Sequence, residues 1–182
     1  MLKQPKKISE ETVHQNKWWS YKHDVFEDSE GKKCDYYYGE ARGSTLVIPI
    51  LPDGRVVMVS RFRYLADGRQ LEFVRGNMHD GETPLDAAKR ELREELGCEA
   101  VEMVNIGVFR PLVSHWKDTC HVFLADIDVA EEQILENGKI LEIVAHRSDE
   151  IDERARTNGI TDGMTLAAWA MARSHFIQAD NK

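Results

Sequence analysis

Residues 76–98 read G-N-M-H-D-G-E-T-P-L-D-A-A-K-R-E-L-R-E-E-L-G-C. Thr83 is a good N-cap, Pro84 suits the first helical position and Gly97 suits a C′ stop, so the stretch predicts a helix over about 84–96. Asp86 stands where a capping-box acid would. Leu85, Ala88, Leu92 and Leu96 form its apolar stripe. The same helix carries Glu91, Glu94 and Glu95 at i, i+3 and i+4, so the three carboxylates share one side.

Three glutamates so placed oppose the helix that carries them. Each like-charged pair costs roughly a few tenths of a kcal/mol, and all three lie in the C-terminal half, where the helix dipole disfavours anions. Two readings follow. One is a solvated acidic face softened by Lys89, Arg90 and Arg93, which is the commoner fate of a charge run. The other is a site for a hard cation, with oxygen-only ligands suited to Mg²⁺ and to Mn²⁺ as a substitute.

The rest of the stretch decides between them. It resembles the Nudix box, G-x5-E-x7-R-E-U-x-E-E-x-G-U with U aliphatic. Gly76, Glu82, Arg90-Glu91-Leu92, Glu94-Glu95 and Gly97 fall at the required spacings, and Cys98 replaces the last aliphatic residue with a small apolar one. The resemblance implies an α/β fold: a Nudix-type α/β/α sandwich with a mixed sheet and an N-terminal β-hairpin subdomain. It also implies that Glu91, Glu94 and Glu95 hold the metal, joined by the backbone carbonyl of Arg75. Glu82 and Arg90 brace the loop and orient the ligands. The ion polarises a diphosphate and activates or places the attacking water.

Outside the box the chain is similar to the ADP-ribose and nucleoside diphosphate sugar pyrophosphatase branch of that family. The cues are N-K-W-W near Trp18, V-I-P-I near Pro49, V-V-M-V-S-R-F-R-Y before the box, Pro111 after it and I-T-D-G-M-T-L-A-A-W near the end. The likeness implies hydrolysis of ADP-ribose or another ADP-sugar to a nucleoside monophosphate and a sugar phosphate. Rival activities are hydrolysis of a nucleoside triphosphate or dinucleotide polyphosphate, and non-catalytic binding of a nucleotide sugar. The likeness places Arg63 near the nucleotide, an aromatic from Trp18, Trp19, Tyr21 or Tyr36 to Tyr38 on the base, and a general base among Glu131, Glu132 and Glu136. Two departures stand out. Arg61 replaces the branch's usual Gln, and Val74-Arg75 replaces Pro-Ala. The extra arginine favours a more anionic substrate or a phosphate held elsewhere. The branch's homodimers form through the N-terminal hairpin, so residues 1–43 are expected as a tail and dimerising hairpin and 44–182 as the hydrolase domain.

The remaining segments fit that plan. Residues 1 to about 15 are polar and expected to be loose at the tip. Trp18–Phe26 and Tyr36–Tyr38 flank the turn D-S-E-G-K-K as a hairpin. Strands are expected at 45–51, with Pro49 marking an edge or bulge, and at 55–62, 71–74, 100–110, 119–127 and 140–145. Helices are expected after a cap at Ser148 and over about 162–178.

Composition excludes several alternatives. With 42% hydrophobic and 31% charged residues the chain of 182 is an ordinary globular protein. Its net charge of −8 disfavours a nucleic-acid polymer as partner. Cys34, Cys98 and Cys120 are odd in number and widely spaced, which points away from disulfides or zinc. No apolar run reaches membrane-span length, and the basic start lacks the apolar core of a secretion signal, so a cytoplasmic location is expected.

Overall fold

The computed structural model describes residues 4–128 and 142–177. The chain divides into two compact units, residues 1–43 with 110–119, and residues 44–109 with 120–182.

In the first unit β1 (Lys6–Gln15), β2 (Trp19–Glu27) and β3 (Lys33–Ala41) form an antiparallel meander, and β9 (Trp116–Lys117) adds in parallel to β3. The expected hairpin is β2–β3, paired from Trp19↔Ala41 to Glu27↔Lys33. Its turn is built by Asp28, whose Oδ1 accepts from the amides of Glu30 and Lys32 at 2.9 and 3.0 Å, while Gly31 takes the positive φ of 86°. No strand was expected before Trp18, yet residues 6–15 are a strand exposed along its whole length. Its ladder to β2 is reinforced by ion pairs of Lys7 with Asp24 and of Lys22 with Glu10.

The second unit centres on a mixed sheet in the order β11-β5-β4-β10-β8. Its strands are β4 (Ser44–Ile50), β5 (Val56–Arg63), β8 (Ala100–Phe109), β10 (Cys120–Ile127) and β11 (Glu142–His146). Only β4 and β10 are parallel among these described neighbours; β6 (Gly68–Glu72) adds to β5 and β7 (Val74–Asn77) to β4. Among the described residues of this unit the α-helices are α1 (Pro84–Leu96), α2 (Ser148–Arg156) and α3 (Gly163–Ile177).

Strand alternation explains the layers. Leu46, Ile48, Val56, Met58 and Val122 point to one face, where they pack with Ile151 of α2 and Ala168, Trp169 and Ala172 of α3. Val47, Val57, Val59, Phe123 and Ala125 point to the other, against Ala88, Leu92 and Leu96 of α1. Each fully buried aliphatic side chain contributes about 1.5–3 kcal/mol. Covering both faces makes the strands read as near-continuous apolar runs. The result is the α/β/α sandwich that the sequence implied.

Two local expectations change. Pro49 is neither at an edge nor at a recorded bulge: β4 is central, and Pro49 is buried opposite Ala125. On its other flank β7 pairs only Ser44–Val47 and β5 only Ile50, so Pro49 falls where no ladder partner requires its missing N–H. The stretch 71–74 is broken at Phe73 into the ends of β6 and β7, which join different strands.

Candidate functional site

The site grows from α1 and the loop before it. Thr83 caps the helix, its Oγ1 accepting from the Asp86 amide at 3.2 Å and donating to the Asp86 carboxylate at 2.6 Å. The acid therefore braces the cap hydroxyl. Gly97 ends the helix at φ 64°, its N–H bonded to the Arg93 carbonyl. The buried arc is wider than the apolar stripe. It holds Ala87, Ala88, Glu91, Leu92, Glu95 and Leu96, whereas Leu85, in the first turn, is 39% exposed.

Two glutamates are thus folded inward. Glu91 is 9% exposed and Glu95 5%. Gly76 on β7 makes the first possible, because a Cβ there would overlap the Glu91 carboxyl. Burial pushes both carboxyls above the ordinary range; Arg90 beside Glu91 and Arg61 beside Glu95 oppose this but do not cancel it. Glu94 is half exposed and accepts from Arg90 Nη1 at 3.2 Å.

Arg90 and Glu82 clasp the loop to the helix. Arg90 Nε and Nη2 donate to Glu82 Oε1 and Oε2 at 2.8 and 3.0 Å, and Nη2 also reaches the Asn77 carbonyl at 3.0 Å. Arg90 Nη1 donates to Glu91 Oε1 at 2.5 Å, and the His79 amide donates to Glu82 Oε2 at 2.9 Å. The Arg90 hydrogen bonds hold the Glu82 carboxyl down at about 2.

A second cluster surrounds Glu72, at the end of β6, which sequence reasoning missed. It is 1% exposed and is approached by three arginines. Arg63 Nε and Nη2 donate to its two oxygens at 2.8 and 2.5 Å, and Arg75 Nη2 donates to Oε2 at 3.3 Å. Arg61 Nε stands 3.7 Å away, and Arg61 Nη2 donates to Glu95 at 2.5 Å. Glu72 therefore ties the arginines on β5 and β7 to the glutamates of α1. The available signal was an acid set between Leu71 and Phe73, inside an apolar strand.

Among the described residues no three His, Cys, Asp or Glu side chains converge as a metal-binding group. The carboxylates of Glu91, Glu94 and Glu95 instead face arginines. They nevertheless fit a hard divalent cation. The donors are all oxygen, two of them are buried anions whose charge is not fully compensated, and the missing Cβ of Gly76 leaves room for one at the strand backbone.

A NUDIX domain model matches residues 40–164. The chain belongs to the Nudix family. It is a Nudix hydrolase, and its relatives point the same way. It is 27% identical over 128 residues to an ADP-ribose pyrophosphatase of Bacillus subtilis (strain 168), covering 69% of each chain. It is 34% identical over 100 residues to an ADP-sugar pyrophosphatase of Mus musculus, covering 49% of this chain and 46% of the relative. A crystal structure of an ADP compounds hydrolase superposes with a TM-score of 0.84 at 19% identity, covering 98% of this chain and 97% of that one.

The other expected residues of this Nudix hydrolase fall as follows. The Arg63 side chain is 38% exposed and held by buried Glu72, so its salt bridge is anchored in the interior. The Arg75 backbone lies in the β4–β7 ladder and its side chain runs to Glu72 and toward Asp162. Glu131, Glu132 and Glu136 lie outside the described residues. In the first unit Trp18 is exposed beneath Lys17 at 4.2 Å, Trp19 meets Trp116 edge-on, Tyr21 and His23 stack on Tyr37, and Tyr38 is buried. Cys98 packs beside the α1 core, and Cys34, Cys98 and Cys120 are thiols, not disulfides. No described helix is long and apolar enough to cross a membrane.

Proposed function

We propose that this Nudix hydrolase cleaves the diphosphate of ADP-ribose or another ADP-sugar, releasing a nucleoside monophosphate and a sugar phosphate, in a reaction that depends on Mg²⁺ with Mn²⁺ as a substitute. The observation that carries the reading is the pair Glu91 and Glu95, buried side by side on α1 and braced by Arg90 and Glu82. A cation bound there polarises the diphosphate and lowers the pKa of water. Glu91, Glu94 and Glu95, with the Arg75 carbonyl, are the proposed ligands. Arg63, partly exposed and oriented by its two bonds to Glu72, offers its outer edge to a phosphate oxygen. The proton acceptor is assigned to the group Glu131, Glu132 and Glu136. The relatives named for ADP-ribose and ADP-sugars support the choice of substrate.

The test is a substrate panel with Mg²⁺ and product identification. It covers ADP-ribose, other ADP-sugars, UDP- and GDP-sugars, NADH, diadenosine polyphosphates and nucleoside triphosphates. The expected result is highest kcat/KM on an ADP-sugar, with AMP among the products and no turnover in EDTA. A nucleoside triphosphate cleaved with much higher kcat/KM than every ADP-sugar overturns the substrate assignment.

A further inference from the structure

We propose that Arg61 is a positioning residue that exchanges partners. It holds the Glu95 carboxylate until a divalent cation takes its place, and then turns its guanidinium to the diphosphate. The inference rests on the metal-dependent reading above and adds to it how the site is kept assembled and charged.

The first support is charge. Three arginines, Arg61, Arg63 and Arg75, meet three acids, Glu72, Glu95 and Asp162, within 4 Å. The cluster is neutral only while Glu95 is counted with Arg61. A divalent cation at Glu91 and Glu95 takes over the compensation of those carboxylates, and Arg61 is then the positive charge in surplus.

Geometry is the second. Glu72 is a crowded alternative for a displaced Arg61. Its Oε1 already accepts from Arg63 Nε, and its Oε2 accepts from Arg63 Nη2 and Arg75 Nη2. Among the described residues Glu95 is the one hydrogen-bond acceptor given to the Arg61 side chain.

The third is an unmet donor. Arg61 Nε is buried and lacks a hydrogen-bond partner, with Glu72 Oε2 at 3.7 Å. A buried donor without an acceptor is costly, so the guanidinium is held by one good contact at Glu95 and has unused capacity for an anion. A diphosphate oxygen supplies an acceptor of that chemistry, and a guanidinium presents it a planar fork of donors. Arg61 and the cation thus compete for one carboxylate but cooperate on the substrate.

The exchange makes opposite predictions for two measurements on one variant. Arg61→Gln removes the competing charge, so Mn²⁺ affinity, read by electron paramagnetic resonance or calorimetry on the full chain without substrate, should tighten roughly tenfold, the size of one charge-assisted contact. The KM for ADP-ribose should rise, because the diphosphate loses an arginine. Arg63→Gln, whose partner is Glu72, should leave Mn²⁺ affinity within about twofold. If Arg61→Gln proves unfolded, Arg61→Lys serves. It keeps the charge but not the fork, and should tighten Mn²⁺ binding by a smaller factor.

Unchanged or weaker Mn²⁺ binding in the Arg61 variants, beside a wild type that binds Mn²⁺, overturns the exchange and leaves the metal-dependent reading standing. Equal tightening in Arg63→Gln also overturns it, since the effect would then be general electrostatics. A wild type that binds no divalent ion overturns both.

Discussion

The Arg90 guanidinium meets the Glu82 carboxylate along two parallel hydrogen bonds, Nε to Oε1 at 2.8 Å and Nη2 to Oε2 at 3.0 Å. The pair joins the loop at 77–82 to the helix that carries the glutamates, because the same arginine also holds the Asn77 carbonyl and the Glu91 carboxylate. Loop and helix are therefore tied together at one side chain.

That clasp has a pH signature. The Glu82 carboxyl is lowered to about 2 in the folded chain, against an ordinary value of about 4.3 when unfolded. Its stabilisation is present above the unfolded value and is lost as pH falls toward 2. Glu91 and Glu95, raised by burial, act oppositely: what they contribute is fully present below the unfolded value and is lost as pH rises from there through their raised values in the fold. Glu82→Gln should therefore flatten or invert the rise of stability with pH between about 3 and 5. Urea melts across that window check it; a slope equal to that of the wild type removes the clasp from the acid response.

Gly76 tests the placement of Glu91. A Cβ at Gly76 would collide with the Glu91 carboxyl, the far end of a flexible side chain. The fold can yield by turning Glu91 aside, so Gly76→Ala should cost stability only about 1 kcal/mol. Displacing a proposed metal ligand should cost kcat roughly a hundredfold. Gly81→Ala is the contrast. Its φ of 78° disfavours a side chain, yet nothing stands within reach of the new Cβ. It should lose about 1–2 kcal/mol with kcat far less affected. Melts and steady-state kinetics on both proteins decide; similar kcat losses would mean that loop strain matters and Glu91 placement does not.

What was legible in the sequence was whatever one element encodes alone. The ends of α1 were fixed by Thr83, Pro84 and Gly97, and the glutamates by their spacing on one helix. β1 was illegible because both of its faces are exposed; its pairing rests on charges matched to β2, and neither apolar alternation nor composition marks such a strand. Pro49 was misread because an edge is a property of the neighbours, and the gap between β5 and β7 along β4 is set by chain segments far apart. Glu72 shows the same limit. Its role depends on arginines that β5 and β7 deliver to one point, and only the fold makes that point.

The unit formed by residues 1–43 and 110–119 should carry a homodimer contact. Its sheet and the bend before β2 expose Trp18, Trp19, Tyr21, Tyr36 and Tyr37, each at least 37% accessible, a density of aromatics that water disfavours. Light scattering at micromolar concentration should give about twice the chain mass. A monomer there ends the expectation.

Glu95→Gln separates stability from catalysis. Glu95 lies 5% exposed with Arg61 on its carboxylate, and burial raises its pKa more than the arginine lowers it. The fold therefore gains little net from the charge itself. The amide oxygen of Gln can still accept from Arg61, so stability in EDTA should change by no more than about 1 kcal/mol. Glu95→Leu lacks that acceptor and strands a largely buried guanidinium, at a cost of about 3 kcal/mol. Turnover should respond differently. Glu95→Gln removes a formal charge from the proposed cation site, and kcat should fall by roughly a hundredfold or more, because charge developing on the diphosphate is less well stabilised. Urea melts in EDTA and kinetics at saturating Mg²⁺ measure the two quantities on the same preparations. A folded Glu95→Gln protein with near-normal kcat would take Glu95 out of the mechanism, and one that melts like Glu95→Leu would show that the charge, and not the acceptor, holds Arg61.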